Sequence, residues 1–441
     1  MLSGSIFKGL IALTMPIMIM NVVQNMFNLV DMTVLGRFTD DTSVGAVGAC
    51  SILIALCTGL FIGISTGANV VIAKNIGAGN KERTERAIGT SVLFSLVGGT
   101  FLLLIGVCFA ENFLRWINCP EKLLGEATLY FKLYFMGAPM LLLYNFCASI
   151  LRAGGDTKRP MYFLITGGVV KLLLNYFCVA VLGMTVAGVG IATICSNTLI
   201  GGLSFLALLK NKNETKFKRN RFKIYVSELK EILFIGIPSG LQIAMYSFAN
   251  TVITAAVNSF GPDATTGVAI ANQFDGILYN VSIATSIATM PYVAQNIGAG
   301  KFDRAKRTIL NAVFITTIFG ASFGSLSAIF SRQLSSLMSE TPAVINYSCQ
   351  KMIIISSTYF ICGINDVMSA TLRGIGKPII PTVATLVFMC FIRFIWVYCV
   401  FPLFPTLTFL YLIWPIGWIL CIITQLIAYF IAMPKISRGK L

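Results

Sequence analysis

The chain has 441 residues, 56% of them hydrophobic and 11% charged, with a mean hydropathy of +0.83. Soluble domains carry about 25% charged residues, so an ordinary soluble protein is excluded. The formal net charge of +16 would suit a nucleic-acid binder, but the charges lie in short clusters between apolar runs, and nucleic acid is excluded as a partner.

Runs long enough to cross about 30 Å of hydrocarbon predict an all-α polytopic membrane protein with twelve transmembrane helices. Spans 1 to 6 cover residues 10–36, 44–73, 87–110, 128–150, 161–182 and 187–209. Spans 7 to 12 cover 232–258, 265–295, 308–331, 344–371, 379–402 and 408–433. The expected organisation is an N-lobe over 1–209, a basic linker over 210–231 and a C-lobe over 232–441. With both termini on one side, that side collects Lys74, Lys81, Arg83, Arg86, Arg152, Lys158, Arg159, the linker cations, Lys301, Arg304, Lys306, Arg307 and Lys435. The opposite loops hold Arg37, Arg115, Lys122, Lys132, Arg332 and Lys351. An excess of lysine and arginine marks the cytoplasmic side, so both termini are expected there. The linker is expected against anionic lipid headgroups. The first apolar segment is too long for a cleavable signal peptide. Most of the twelve cysteines lie inside spans and read as small core residues.

Two loop sequences repeat. Asn75-Ile-Gly-Ala-Gly-Asn-Lys returns as Asn296-Ile-Gly-Ala-Gly-Lys, and Leu151-Arg-Ala-Gly-Gly returns as Leu372-Arg-Gly-Ile-Gly, each 221 residues further on. Pro16 and Pro238, Asn28 and Asn250, and Lys171 and Arg393 correspond at an offset of 222. The chain is therefore a duplicated unit, which is how many secondary transporters are built, with the substrate site between the halves. Six spans per half is an even number, so the halves are parallel repeats about an axis along the membrane normal. The glycine loops lack the spacing and the Lys-Ser/Thr ending of a phosphate-binding loop. They read as glycine stops at helix ends, and ATP is not expected as the energy source.

Ionisable side chains in hydrocarbon cost about 2.5–3.5 kcal/mol at mid-span. Five lie well inside spans: Asp31, Lys171, Asp275, Asp366 and Arg393. On span 1, Gln24, Asn28 and Asp31 share a helical face with Asn21 and Asn25 alongside. Such a stripe cannot face lipid. Pro16 lies about 22 Å before Asp31 at about 1.5 Å per residue. Span 7 has a stripe of Ser247, Asn250, Thr251, Thr254 and Asn258, without an acid. On span 8, Asn272, Asp275 and Tyr279 share a face, and on span 10 Asp366 precedes Arg373 by seven residues. Arg393 is expected to neutralise Asp275 or Asp366. The chain has no histidine, so a proton relay must use carboxylates. Three internal acids against two internal cations predict a weakly negative cavity, and flat lipophilic cations held by aromatic and methionine side chains as cargo. The usual signatures of membrane-embedded hydrolases are missing from the sequence. No enzyme activity, metal or cofactor is expected.

The chain resembles the multidrug and toxic compound extrusion (MATE) family of antiporters over essentially its whole length. The resemblance rests on Asp31-Met-Thr-Val-Leu-Gly-Arg, the two Asn-Ile-Gly-Ala-Gly loops, the two Leu-Arg-x-x-Gly loops and Val186-Ala-Gly-Val-Gly-Ile-Ala-Thr193. It implies two six-helix lobes in a V shape, and export of small molecules by a monomer in the bacterial inner membrane, driven by inward H⁺ or Na⁺. The N-lobe looks most like the DinF-like bacterial branch. That branch uses a span-1 acid, here Asp31, with span-5 partners in an Asn-x-x-x-Asp or Asn-x-x-x-Asn pattern and a span-6 threonine. Here the pattern reads Lys171-Leu-Leu-Leu-Asn175 and Ala192-Thr193. Asn175 and Thr193 fit, and Lys171 departs. An ammonium at Lys171 would occupy the room of a bound cation, so pairing of Lys171 with Asp31 and proton rather than sodium coupling are expected. The alternative is a lipid-linked oligosaccharide flippase of the same superfamily, which shares the two-lobe build.

Overall fold

A computed structural model describes residues 1–438, apart from the side chains of Asn28, Leu29, Asp41, Ile52, Ser247 and Phe248. Asn28 and Ser247, placed above on the polar stripes, thus lie outside the described side chains. The secondary structure among the described residues is helical throughout. Ten helices are long and apolar enough to cross a membrane, and counting each of two bent pairs as one span gives up to twelve. Span 1 is Ile6–Phe38, span 2 Asp41–Gly77 and span 3 Lys81–Cys108. Span 4 is the pair Glu121–Met136 and Ala138–Ala153, bent by 46°. Span 5 is Lys158–Val181 and span 6 Val186–Lys210. In the second half, spans 7 to 9 are Val226–Asn258, Pro262–Gly298 and Phe302–Ile329. Span 10 is the pair Pro342–Ser357 and Tyr359–Gly374, also bent by 46°, and spans 11 and 12 are Ile379–Leu403 and Leu407–Ser437.

The repeat is visible in the helix ends. Spans 2, 3 and both arms of span 4 start and stop 221 residues before spans 8, 9 and both arms of span 10. Gly79 and Gly300 follow spans 2 and 8 with φ of 69° and 70°, and Gly155 and Gly376 follow spans 4 and 10 with φ of 90° and 84°. At each stop a backbone N–H reaches back five residues to a carbonyl: Asn80 to Asn75, Lys301 to Asn296, Asp156 to Leu151, and Lys377 to Leu372. These bonds close the helix ends in the manner of a Schellman motif.

Two compact units make up the molecule. One is Ile19–Gly240, and the other joins Met1–Met18 to the residues from Leu241 onward. Each switch falls two residues after an equivalent proline, Pro16 in span 1 and Pro238 in span 7. The compact units and the sequence repeats at 1–209 and 232–441 therefore do not coincide. Each unit takes the stretch of the other half's first helix that precedes its proline.

In the first unit, span 2 lies against the opening stretch of span 7 through glycines. A Cβ added to Gly240 would stand 2.6 Å from the Leu60 carbonyl oxygen. Small residues at such crossings let helix backbones touch where lipid offers no hydrophobic drive to pack them. The basic linker is tied to span 3, with Lys218 paired to Glu85 at 2.5 Å and Arg221 to Glu82 at 3.5 Å.

Candidate functional site

Asp31 is buried at 8% exposure on span 1 in the first unit. Its two carboxylate oxygens accept different donors: Lys171 Nζ on Oδ2 and Asn175 Nδ2 on Oδ1. Lys171 and Asn175 stand one turn apart on span 5, so one helical face serves one carboxylate. Phe27, a turn before Asp31, lies against Gly168, a turn before Lys171, where any side chain would collide with the ring. The missing Cβ lets span 1 approach span 5 closely enough for the pair to form. Directly after Asn175 the helix widens into a π turn, Tyr176–Val181. Such turns are rare and occur often at functional sites.

The other N-lobe candidates lie elsewhere. Thr193 is buried, but its hydroxyl donates to the Val189 carbonyl of its own helix at 2.8 Å, which spends its proton locally. Gln24 is exposed. The Asn28 side chain is outside the described residues.

In the second unit the candidates separate into two groups around one cavity of about 270 Å³. Asp275 on span 8 is paired with Lys351 Nζ at 2.8 Å, and Lys351 also donates to Asn272 Oδ1. Tyr359 donates to the backbone carbonyl of Asp275 at 3.1 Å. Arg393 on span 11 donates through Nη1 to Asn250 Oδ1 on span 7 at 2.6 Å. Its guanidinium carbon lies 5.1 Å from the ring centres of both Tyr246 and Trp414, within cation–π range. Arg393 occupies a single α turn, Ile392–Ile395, between π turns Thr385–Phe391 and Trp396–Val400.

Three expectations change. Arg393 neutralises neither Asp275 nor Asp366. As the counterpart of Lys171 it faces span 7, where it meets Asn250, the counterpart of Asn28, because Ile253 stands at the position of Asp31. Lys351, assigned to an outer loop, is instead a buried residue of Pro342–Ser357 at 3% exposure. Its signal was in the sequence: Val344, Ser348, Lys351, Met352 and Ile355 form the buried stripe of that helix at helical spacing. The weakly negative cavity also falls away, because Asp275 has its own cation and Arg393 is left over. Asp366 forms no ion pair with either group, although its charge reaches Tyr279 and Tyr246 of the cavity wall. Its Oδ1 accepts from Asn365 at 3.4 Å, and its Oδ2 is buried without a partner among the described residues. Arg373 bonds Gln242 Oε1 rather than Asp366.

Among the described residues no cluster of three His, Cys, Asp or Glu could hold a metal. Each oxygen of the Asp31 carboxylate accepts one N–H donor, and the Lys171 ammonium is its cationic partner.

The MatE family model matches the chain twice, over residues 16–177 and 238–399. A probable multidrug resistance protein of Bacillus subtilis, YoeA, is 28% identical over 389 residues, covering 86% of this chain and 83% of its own. An FAD transporter of Shewanella oneidensis is 24% identical over 386 residues, covering 86% of this chain and 84% of its own. Among solved structures, an outward-facing multidrug resistance MATE transporter of the MOP superfamily superposes with a TM-score of 0.90 at 20% identity, covering 99% of this chain and 98% of its own.

Proposed function

The chain belongs to the MatE family of membrane transporters, and on that premise we propose that it exports small organic molecules by antiport with protons, Asp31 being the carboxylate that carries the coupling proton. The observation that carries this reading is the occupancy of Asp31: Lys171 Nζ on one oxygen and Asn175 Nδ2 on the other. A metal cation on that carboxylate would have to share it with the Lys171 ammonium, and the two positive charges repel at close range. Protonating Asp31 cancels the charge that holds Lys171, and releases the stretch of span 1 beyond Pro16 to bend at the proline, where the helix lacks a backbone donor. In this cycle the pair re-forms when the proton leaves on the cytoplasmic side, where we place both termini. Cargo is not confined to cations: relatives include a multidrug resistance protein and a transporter of FAD, an anionic dinucleotide.

Efflux of a fluorescent organic cation from proteoliposomes, under an imposed proton gradient and then an imposed sodium gradient, tests the coupling. Proton-driven efflux in the wild type that is lost in Asp31→Asn supports the reading. Sodium-driven efflux in the wild type would overturn it.

A further inference from the structure

We propose that the cavity of the second unit binds a small planar aromatic acid, a monoanion that also carries a hydroxyl or N–H donor. The inference rests on the transporter reading in one respect: it calls this ligand cargo. The binding itself follows from the walls.

The volume of about 270 Å³ equals roughly nine waters at about 30 Å³ each, which is room for two fused rings and their substituents. Tyr246, Tyr279, Tyr359, Tyr411 and Trp414 supply flat faces to stack on. The charges do not cancel. Lys351 is spent on Asp275. Arg393, 1% exposed, has no carboxylate partner among the described residues, and it is held by three wall residues, Asn250, Tyr246 and Trp414. One positive charge is therefore left over behind the aromatic wall, in surroundings where a charge without a counter-ion is costly.

Two polar atoms of the wall are also unsatisfied. The Tyr411 hydroxyl and Asp275 Oδ1 are buried without partners among the described residues. The first is a donor and calls for an acceptor; the second is an acceptor and calls for a donor. A ligand carboxylate supplies an acceptor for Tyr411 and, across the ring wall, a negative charge to balance Arg393, which does not itself line the cavity. A ligand hydroxyl satisfies Asp275. A lipophilic cation fits less well, because the carboxylate it would seek is already held by Lys351.

Isothermal titration calorimetry on the purified full-length protein in lipid nanodiscs tests this with three matched probes: 6-hydroxy-2-naphthoate, its neutral primary amide, and 6-aminomethyl-2-naphthol. The acid is expected to bind about tenfold more tightly than the amide, because its charge meets the uncompensated charge of Arg393 across a low-dielectric wall, and the amine most weakly. Arg393→Gln should bring the acid down to the level of the amide and leave the amide unchanged. Should Arg393→Gln fail to fold, Tyr411→Phe serves instead, with an expected loss of about threefold to tenfold for the acid. Removing the probe hydroxyl, as in 2-naphthoate, should weaken binding to the wild type more than to Asp275→Asn. The proposal is overturned if the amine binds as tightly as the acid, or if neither Arg393→Gln nor Tyr411→Phe changes the ratio of acid to amide. No gradient is imposed, so a failure here leaves proton coupling at Asp31 standing, and a failure of coupling leaves this site standing.

Discussion

Lys171 and Arg393 occupy the same place in the two halves, but their partners do not: the position equivalent to Asp31 is Ile253, and the partner of Arg393, Asn250, is the counterpart of Asn28. Lys171 reaches span 1 and finds the carboxylate of Asp31. Arg393 reaches span 7 and finds the amide of Asn250. Duplication preserved the cation on the fifth span of each half and the approach of that span to the first. What differs is whether the partner can take a proton. The first pair can be cancelled by protonation and re-formed. The second keeps its charge in every protonation state of its partner, because a guanidinium does not deprotonate in proteins and an amide does not titrate. One half can therefore switch while the other holds a fixed positive charge beside a cavity.

Breaking the first pair at its acid has the largest expected effect. Asp31→Asn should reduce proton-driven efflux in proteoliposomes by about 100-fold or more, the usual scale for removing an essential proton carrier.

Next in size is stability. Lys171→Met leaves Asp31 without its cation and should cost on the order of 3 kcal/mol, read from unfolding of the purified protein in detergent. Combining it with Asp31→Asn should recover most of that loss. The matching cycle of Arg393→Met with Asn250→Ala should give a smaller coupling, about 1.5 kcal/mol, because a charge meets a neutral acceptor there.

A third variant gives both fifth-span cations an acid. Asn250→Asp gives Arg393 a carboxylate of its own and should weaken binding of 6-hydroxy-2-naphthoate by about tenfold. Smallest is Thr193→Val, with a change in efflux within about twofold and in stability of about 0.5 kcal/mol or less. Its hydroxyl serves Val189 on its own helix and does not reach Asp31.

Much of this architecture is written in local chemistry. Glycines that must adopt positive φ mark the ends of spans 2, 4, 8 and 10, and the same glycines carry the repeat. Asp31, Lys171 and Asn175 could be picked out because charge and amide groups inside a long apolar run need a reason to be there. The rest depends on packing that no short pattern encodes. The prolines in spans 1 and 7 are visible in the sequence, but which bundle each stretch joins is not, since that is set by packing against helices distant in the chain. The π turns beside Asn175 and Arg393 have no composition of their own. The bends at Gly137 and Thr358 fall at equivalent positions with different residues, so the helix arms around them set the bend. Lys351 was legible in the stripe of its helix. Its position within 344–371 places it in span 10, not in the outer loop with which its charge was counted.

The central claim is that Asp31 releases and takes up the proton exchanged for cargo. Its most direct test is proton counting: proteoliposomes loaded with a pH-sensitive dye, at equal pH and sodium on both sides, receive an outward cargo gradient. Proton movement opposite to the cargo is expected in the wild type, and none in Asp31→Asn. Cargo-driven proton movement that persists in Asp31→Asn would contradict it.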